Sequence, residues 1–175
     1  ETIRLKLEKP ATKIVLNALE LEIASAAIDD QALPEKAIVL DEKEQILTLT
    51  LPNELAAGEH QLALKFRGKI NAQGQGLFYA RYQEEGTNEK KIMLGTQCEA
   101  TDARRMFPCW DEPSFRARFQ LTAVGPQNFR AVSNMPLHAG KKSDQSKALS
   151  SGLSPPMRSY LGWSSAAAVG LIRAM

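Results

Sequence analysis

Gln97, Glu99, Asp102, Arg104, Arg105, Asp111 and Glu112 lie in one run, Gln97 to Pro113, with Cys98, Cys109, Phe107, Pro108 and Trp110 among them. The run reads Gln-Cys-Glu-Ala-Thr-Asp-Ala-Arg-Arg-Met-Phe-Pro-Cys-Trp-Asp-Glu-Pro. Local folding alone seldom needs so many charges, thiols, aromatics and prolines together. A carboxylate two residues after an amide, beside a rigid aromatic and proline framework, suits the gripping of a small polar group. In an extended segment the i, i+2 spacing puts Gln97 and Glu99 on the same face. The plain structural alternative is that Glu99 pairs with Arg104 or Arg105 as a buried ion pair.

Arg104 and Arg105 could orient Glu99 or hold a substrate carboxylate. Asp102, Asp111 and Glu112 supply carboxylates for bidentate pairing nearby, which favours a scaffold role for both arginines. Asp111 and Glu112 are adjacent, so in extended chain they point to opposite faces and form no shared acid/base or metal site. Phe107, Pro108, Trp110 and Phe115 are expected to pack as the platform beneath the run. Cys98 and Cys109 are too few for a disulfide scaffold and have no second cysteine or histidine at ligand spacing. Free, buried thiols are expected, which favours a reduced, cytoplasmic setting.

The run strongly resembles the N-terminal domain of the M1 aminopeptidases, the gluzincin zinc exopeptidases, which carry Gln-x-Glu-Ala-x-x-Ala-Arg-Arg followed by Pro-Cys-x-Asp-Glu-Pro. Pro155-Pro156-Met157-Arg158-Ser159-Tyr160-Leu161 resembles the family's Pro-x-Met-x-x-Tyr-Leu segment, so the likeness covers roughly residues 1–161. The resemblance implies an all-β, saddle-like antiparallel sandwich. It implies that Glu99 binds the protonated α-amine of a peptide N-terminus through charge-assisted hydrogen bonds, and that Gln97 lines the subsite for the first side chain. Ala100, Arg104, Arg105, Trp110 and Asp111 would support that site.

No residue of this chain is expected to be catalytic or to bind metal. Zinc-assisted hydrolysis on this template needs a helical His-Glu-x-x-His. The chain has two histidines, His60 and His138, and neither that motif nor the family's Gly-x-Met-Glu-Asn. Zinc is therefore expected in a following catalytic domain, which becomes the expected partner beside the substrate peptide. One competing reading is a freestanding β-sandwich module that binds a protein or glycan; another is a degenerate fragment without selected function.

The elements that must position these residues are strands. Ile3, Leu5 and Leu7 alternate with Arg4 and Lys6 from the first residues, as in a chain that starts within a strand rather than a signal peptide. Leu47-Thr48-Leu49-Thr50-Leu51, stopped by Pro52-Asn53, and Leu62, Leu64 and Phe66 repeat the period-two pattern. Ile92-Met93-Leu94 forms a strand that delivers the run, a helical turn is expected near Thr101–Arg105, and Phe115 to Leu121 reads as a further strand. An α+β alternative would need a helix over residues 17–27. The loop Asn71 to Gly76 is glycine-rich but precedes a strand, which excludes a phosphate cradle.

Expected boundaries are a sandwich over 1–136, a polar loop and family-like segment over 137–161, and an aberrant or disordered tail over 162–175, read as a truncation or frameshift. The composition is 43% hydrophobic with a net charge of +2, enough for a core and no electrostatic case for nucleic acid. No apolar run approaches the roughly 20 residues of a membrane span.

Overall fold

The computed structural model describes residues 1–161, except 84, 128, 143 and 144, together with 167–168. Among the described residues, thirteen strands in four antiparallel sheets account for most of the regular structure, joined by three single 3-10 turns, so the all-β expectation holds. The chain forms two compact units: Glu1–Lys69 with Arg104–Trp110, and Ile70–Ala103 with the residues from Asp111 onward.

The first unit contains β1 (Thr2–Leu7), β2 (Ala11–Asn17), β3 (Leu21–Ile28), β4 (Gln31–Ala32), β5 (Ile38–Asp41), β6 (Ile46–Leu55) and β7 (Gly58–Gly68). They make one sheet of order β1-β7-β3-β4 and another of order β2-β6-β5. Alternation puts Ile14 and Leu16 of β2, Leu47, Leu49 and Leu51 of β6, and Leu62 and Leu64 of β7 into one buried cluster. Leu47, Leu49 and Leu62 have no exposed surface, and burying each such side chain contributes about 1.5–3 kcal/mol. Residues 17–27 supply the end of β2 and most of β3, not a helix.

Local chemistry closes the hairpins. Asp41 Oδ1 accepts the N–H groups of Lys43 and Glu44, both at 3.0 Å, turning the chain between β5 and β6. Asp29 and Asp30 have φ of 47° and 65° between the paired Ile28 and Gln31, a two-residue turn of the I′ kind. Pro52 does not stop β6 as expected. It falls where the β2–β6 register shifts between the Lys13–Thr50 and Ala11–Leu55 pairs, so its missing N–H breaks no ladder bond.

The second unit contains β8 (Gly76–Gln83), β9 (Lys90–Gln97), β10 (Thr122–Pro126), β11 (Leu137–Lys142), β12 (Ser146–Ser151) and β13 (Ala167–Ala168), in sheets of order β13-β9-β8 and β10-β12-β11. Two expectations are corrected here. Residues 139–154, read as a polar loop or disordered segment, include most of β11 and all of β12. β12 is polar but central, and ladder bonds on both sides hold it where side-chain hydrophobicity does not.

Phe115 to Leu121 makes no regular strand. It has one bridge, Ala117 to Met157. Phe119 N–H donates to Ser154 Oγ and Leu121 N–H to Ser151 Oγ, both at 2.9 Å, so serine hydroxyls take the place of backbone carbonyls. Pro155 and Pro156, which have no N–H to donate, interrupt the facing segment. Residues 162–175, expected to be foreign to the fold, lie outside the described residues apart from Ala167–Ala168, whose backbone pairs with Gly95 and Leu94 of β9.

Candidate functional site

β9 carries Lys90-Lys91-Ile92-Met93-Leu94-Gly95-Thr96-Gln97 and pairs along its whole length with β8. Gly95 lies opposite Phe78, and a Cβ at Gly95 would fall 2.8 Å from Phe78 Cζ. The ring therefore lies over the glycine, which is why no larger residue fits there. The next pair on that face is Gln97 with Gly76. The strand ends at Gln97, and Glu99 belongs to the following turn.

Gln97 is exposed, Cys98 buried and Glu99 exposed, so the alternation persists past the strand end. No hydrogen bond or ion pair engages the side chain of Gln97 or Glu99 among the described residues. The Glu99–Ala100 peptide is cis, and Ala100 is exposed. Asp102 N–H donates to Cys98 O at 3.0 Å and closes the turn, and a 3-10 turn over Ala103–Arg105 follows, matching the expected helical turn.

The thiol between Gln97 and Glu99 has no exposed surface. Burial raises the Cys98 pKa to about 12, with the negative charges of Asp111 and Asp102 adding to the shift. A buried thiol held protonated at neutral pH is a poor nucleophile. Cys98 and Cys109 are both free and buried, as expected.

Asp111 is 2% exposed and accepts the hydroxyl proton of buried Ser159 on Oδ1 at 2.6 Å. Arg158 Nε donates to Pro113 O at 3.2 Å, and Met157 exchanges two 2.9 Å backbone bonds with Ala117. The Asp-Glu-Pro end of the run is thus tied to Met157–Ser159. Asp111 and Glu112 diverge as expected, with Glu112 exposed. Phe115, placed in the packed platform by sequence, is 50% exposed.

Arg104–Trp110 belongs to the first unit. Arg104 O accepts Leu19 N–H at 2.9 Å, its Nη1 donates to Gln45 Oε1 at 3.1 Å, and Arg105 Nη1 pairs with Glu20 at 2.8 Å. Cys109 exchanges two backbone bonds with Asn17, at 2.7 and 3.0 Å, while Trp110 packs against the leucine cluster. These residues serve as scaffold for the β2–β3 connection.

Sequence reading missed Asn71. Its side-chain nitrogen donates to Gln75 O and to Leu77 O, and its Oδ1 accepts Gln73 N–H at 2.8 Å. The loop that looked flexible is pinned before it delivers Gly76 beside Gln97. An asparagine at the head of a glycine-rich loop was the available signal. An open concavity of about 500 Å³ runs beside β8, lined by Ala72–Gly74 and Phe78–Arg81, and neither Gln97 nor Glu99 lines it. No group of three or more His, Cys, Asp or Glu suited to a metal exists among the described residues. No described helix is long and apolar enough to cross a membrane.

Residues 1–161 match the family model for the peptidase M1 N-terminal domain. Aminopeptidase M1-D of Oryza sativa subsp. japonica is 39% identical over 160 residues, covering 91% of this chain and 18% of the relative. Aminopeptidase M1 of Arabidopsis thaliana is 39% identical over 154 residues, 85% of this chain and 17% of the relative. Aminopeptidase N of Acetobacter pasteurianus is 36% identical over 162 residues, 92% of this chain and 45% of the relative. The chain thus spans less than a fifth of the plant relatives and under half of the bacterial one.

Proposed function

Because the chain belongs to the peptidase M1 family, of which it carries the N-terminal domain, we propose that it supplies the amine-binding wall of an aminopeptidase's substrate site. The observation that carries this reading is the pair Gln97 and Glu99, exposed and unengaged on either side of a buried cysteine within the motif run. Glu99 would hold the protonated α-amine of a peptide, and Gln97 would contact the first side chain. Two side chains on one wall bind but do not hydrolyse.

M1 aminopeptidases are zinc enzymes, and the residues described here do not fit that metal. His60 is engaged by Asp29 and Ala56, and no cluster of three donors exists among the described residues. In this reading the zinc site and the hydrolytic groups belong to the further length that the relatives possess, and that part is the partner of this domain. The chain alone is expected to leave peptides uncut.

The test is a graft. Residues 1–161 replace the matching stretch of the rice Aminopeptidase M1-D, and inhibition by an amino-acid amide is compared with that by its N-acetyl derivative. The amide should inhibit more strongly, and Glu99→Gln should remove most of the difference. A folded, active graft whose preference for the free amine survives both Glu99→Gln and Gln97→Ala refutes the assignment.

A further inference from the structure

His60 stands at the start of β7 with an acceptor on each ring nitrogen. Nδ1 lies 2.7 Å from Asp29 Oδ2, and Nε2 lies 2.9 Å from Ala56 O. A neutral imidazole has one N–H, so it can satisfy only one of these oxygens; the imidazolium satisfies both. Asp29 is fixed independently of the ring: its Oδ1 accepts Gln61 N–H at 2.8 Å, and its own N–H donates to Gln61 O at 2.9 Å. The His60 side chain is 12% exposed and that of Asp29 is 45% exposed.

We infer that His60 is a proton-operated clasp: doubly protonated, it ties the β3–β4 turn to the β6–β7 turn, and on losing one proton it keeps Asp29 and releases Ala56. The retained bond is the one to the carboxylate, the stronger acceptor for an N–H.

The surroundings leave this pair to set the charge. His60 shares its β7 face with Leu62 and Leu64, and its register partner on β1 is Leu5, with Ile3 and Leu7 on the same face. Arg4, Lys6 and Glu59 are exposed on the opposite face of those strands. Asp30, beside Asp29 in the turn, is exposed, and Glu54 near the end of β6 is exposed.

The hydrogen bond to Asp29, then that to Ala56 O, raises the His60 pKa above its ordinary 6.5. The hydrogen bond from His60, then that from Gln61 N–H, lowers the Asp29 pKa below its ordinary 3.8. The histidine's contribution is therefore complete below the ordinary histidine value and disappears as pH rises through the raised one. The aspartate's contribution is complete above the ordinary aspartate value and disappears as pH falls through the lowered one. The clasp is closed between these limits.

The experiment is a pH titration of the His60 ring by long-range nitrogen–proton NMR in the intact chain, alongside Asp29→Asn and His60→Gln. We expect a titration point above about 6.5 that falls in Asp29→Asn. The neutral ring should carry its proton on Nδ1, the tautomer disfavoured in water. The Ala57 and Gly58 amide signals should follow the same titration in the wild type and lose it in His60→Gln. Should Asp29→Asn not fold, the wild-type tautomer and amide signals decide. An Nε2–H neutral ring, or a titration point at or below about 6.5, overturns the inference.

Discussion

Ser159 donates its hydroxyl proton to Asp111 Oδ1 across 2.6 Å, 48 positions apart in sequence, and neither side chain is more than 5% exposed. The bond joins the Asp-Glu-Pro end of the motif run to the Pro-x-Met-x-x-Tyr-Leu segment. Ser159→Ala removes a donor to a buried carboxylate, and such bonds are worth about 1.5–3 kcal/mol. Denaturant unfolding should show a loss in that range, and a loss below about 0.5 kcal/mol, the ordinary surface scatter, would show that the bond does not hold the segments together.

Glu99→Gln in the grafted enzyme should cost a charge-assisted hydrogen bond to the substrate amine, about 1.5–3 kcal/mol. That is about a ten- to hundredfold drop in kcat/KM for free-amine substrates. Folding should hardly change, because no ion pair engages Glu99 among the described residues. Unfolding and steady-state kinetics on the same variant separate the roles: a lower melting point with unchanged kinetics would place Glu99 in the scaffold.

Cys98 should resist thiol reagents at neutral pH in the folded chain and react on unfolding, since it has no exposed surface and a pKa of about 12. The raised value has a sign: the unfolded thiol ionises near 9.0 and the folded one does not, so this residue's contribution to stability falls as pH rises past 9.0. A Cys109→Ser background assigns the signal. Rapid labelling without unfolding would contradict the burial.

Gly95→Ala should drive Phe78 off its position, because the new Cβ would lie 2.8 Å from the ring. Overpacking of this kind costs about 1–3 kcal/mol. Phe78→Leu in the same chain should recover part of the loss, read as non-additivity in a double-mutant cycle. Additive losses would mean that the two residues do not share the space.

Much of the strand content was legible because apolar alternation is a local signal: Leu47, Leu49 and Leu51 announce β6, and Leu62 and Leu64 announce β7. The motif run located Gln97 and Glu99, and the structure presents both side chains to solvent. Periodicity misled where hydrogen bonds rather than hydrophobicity decide. Ser146 to Ser151 carries few apolar residues, yet ladders on both sides make it a central strand. Phe115 to Leu121 has the right alternation, but only Ala117 forms a β-bridge to a neighbouring backbone, and the Phe119 and Leu121 amides find serine hydroxyls. The His60 clasp joins residues 31 positions apart, and no local pattern encodes that pairing.

The bonds from Asn17 to Cys109 have a consequence for the order of events at the ribosome. The first unit takes seven strands from Glu1–Lys69 and then waits for Arg104–Trp110, which is made only after Ile70–Ala103 has been added. At about 5–20 residues per second, that interval is roughly 2–8 s. Throughout it, the nascent sandwich lacks the Trp110 ring that packs on its leucines and the carbonyls that accept Asn17 and Leu19 N–H. Polypeptide released before Trp110 would leave this surface permanently uncovered, the kind of exposed apolar patch that chaperones and proteases act on.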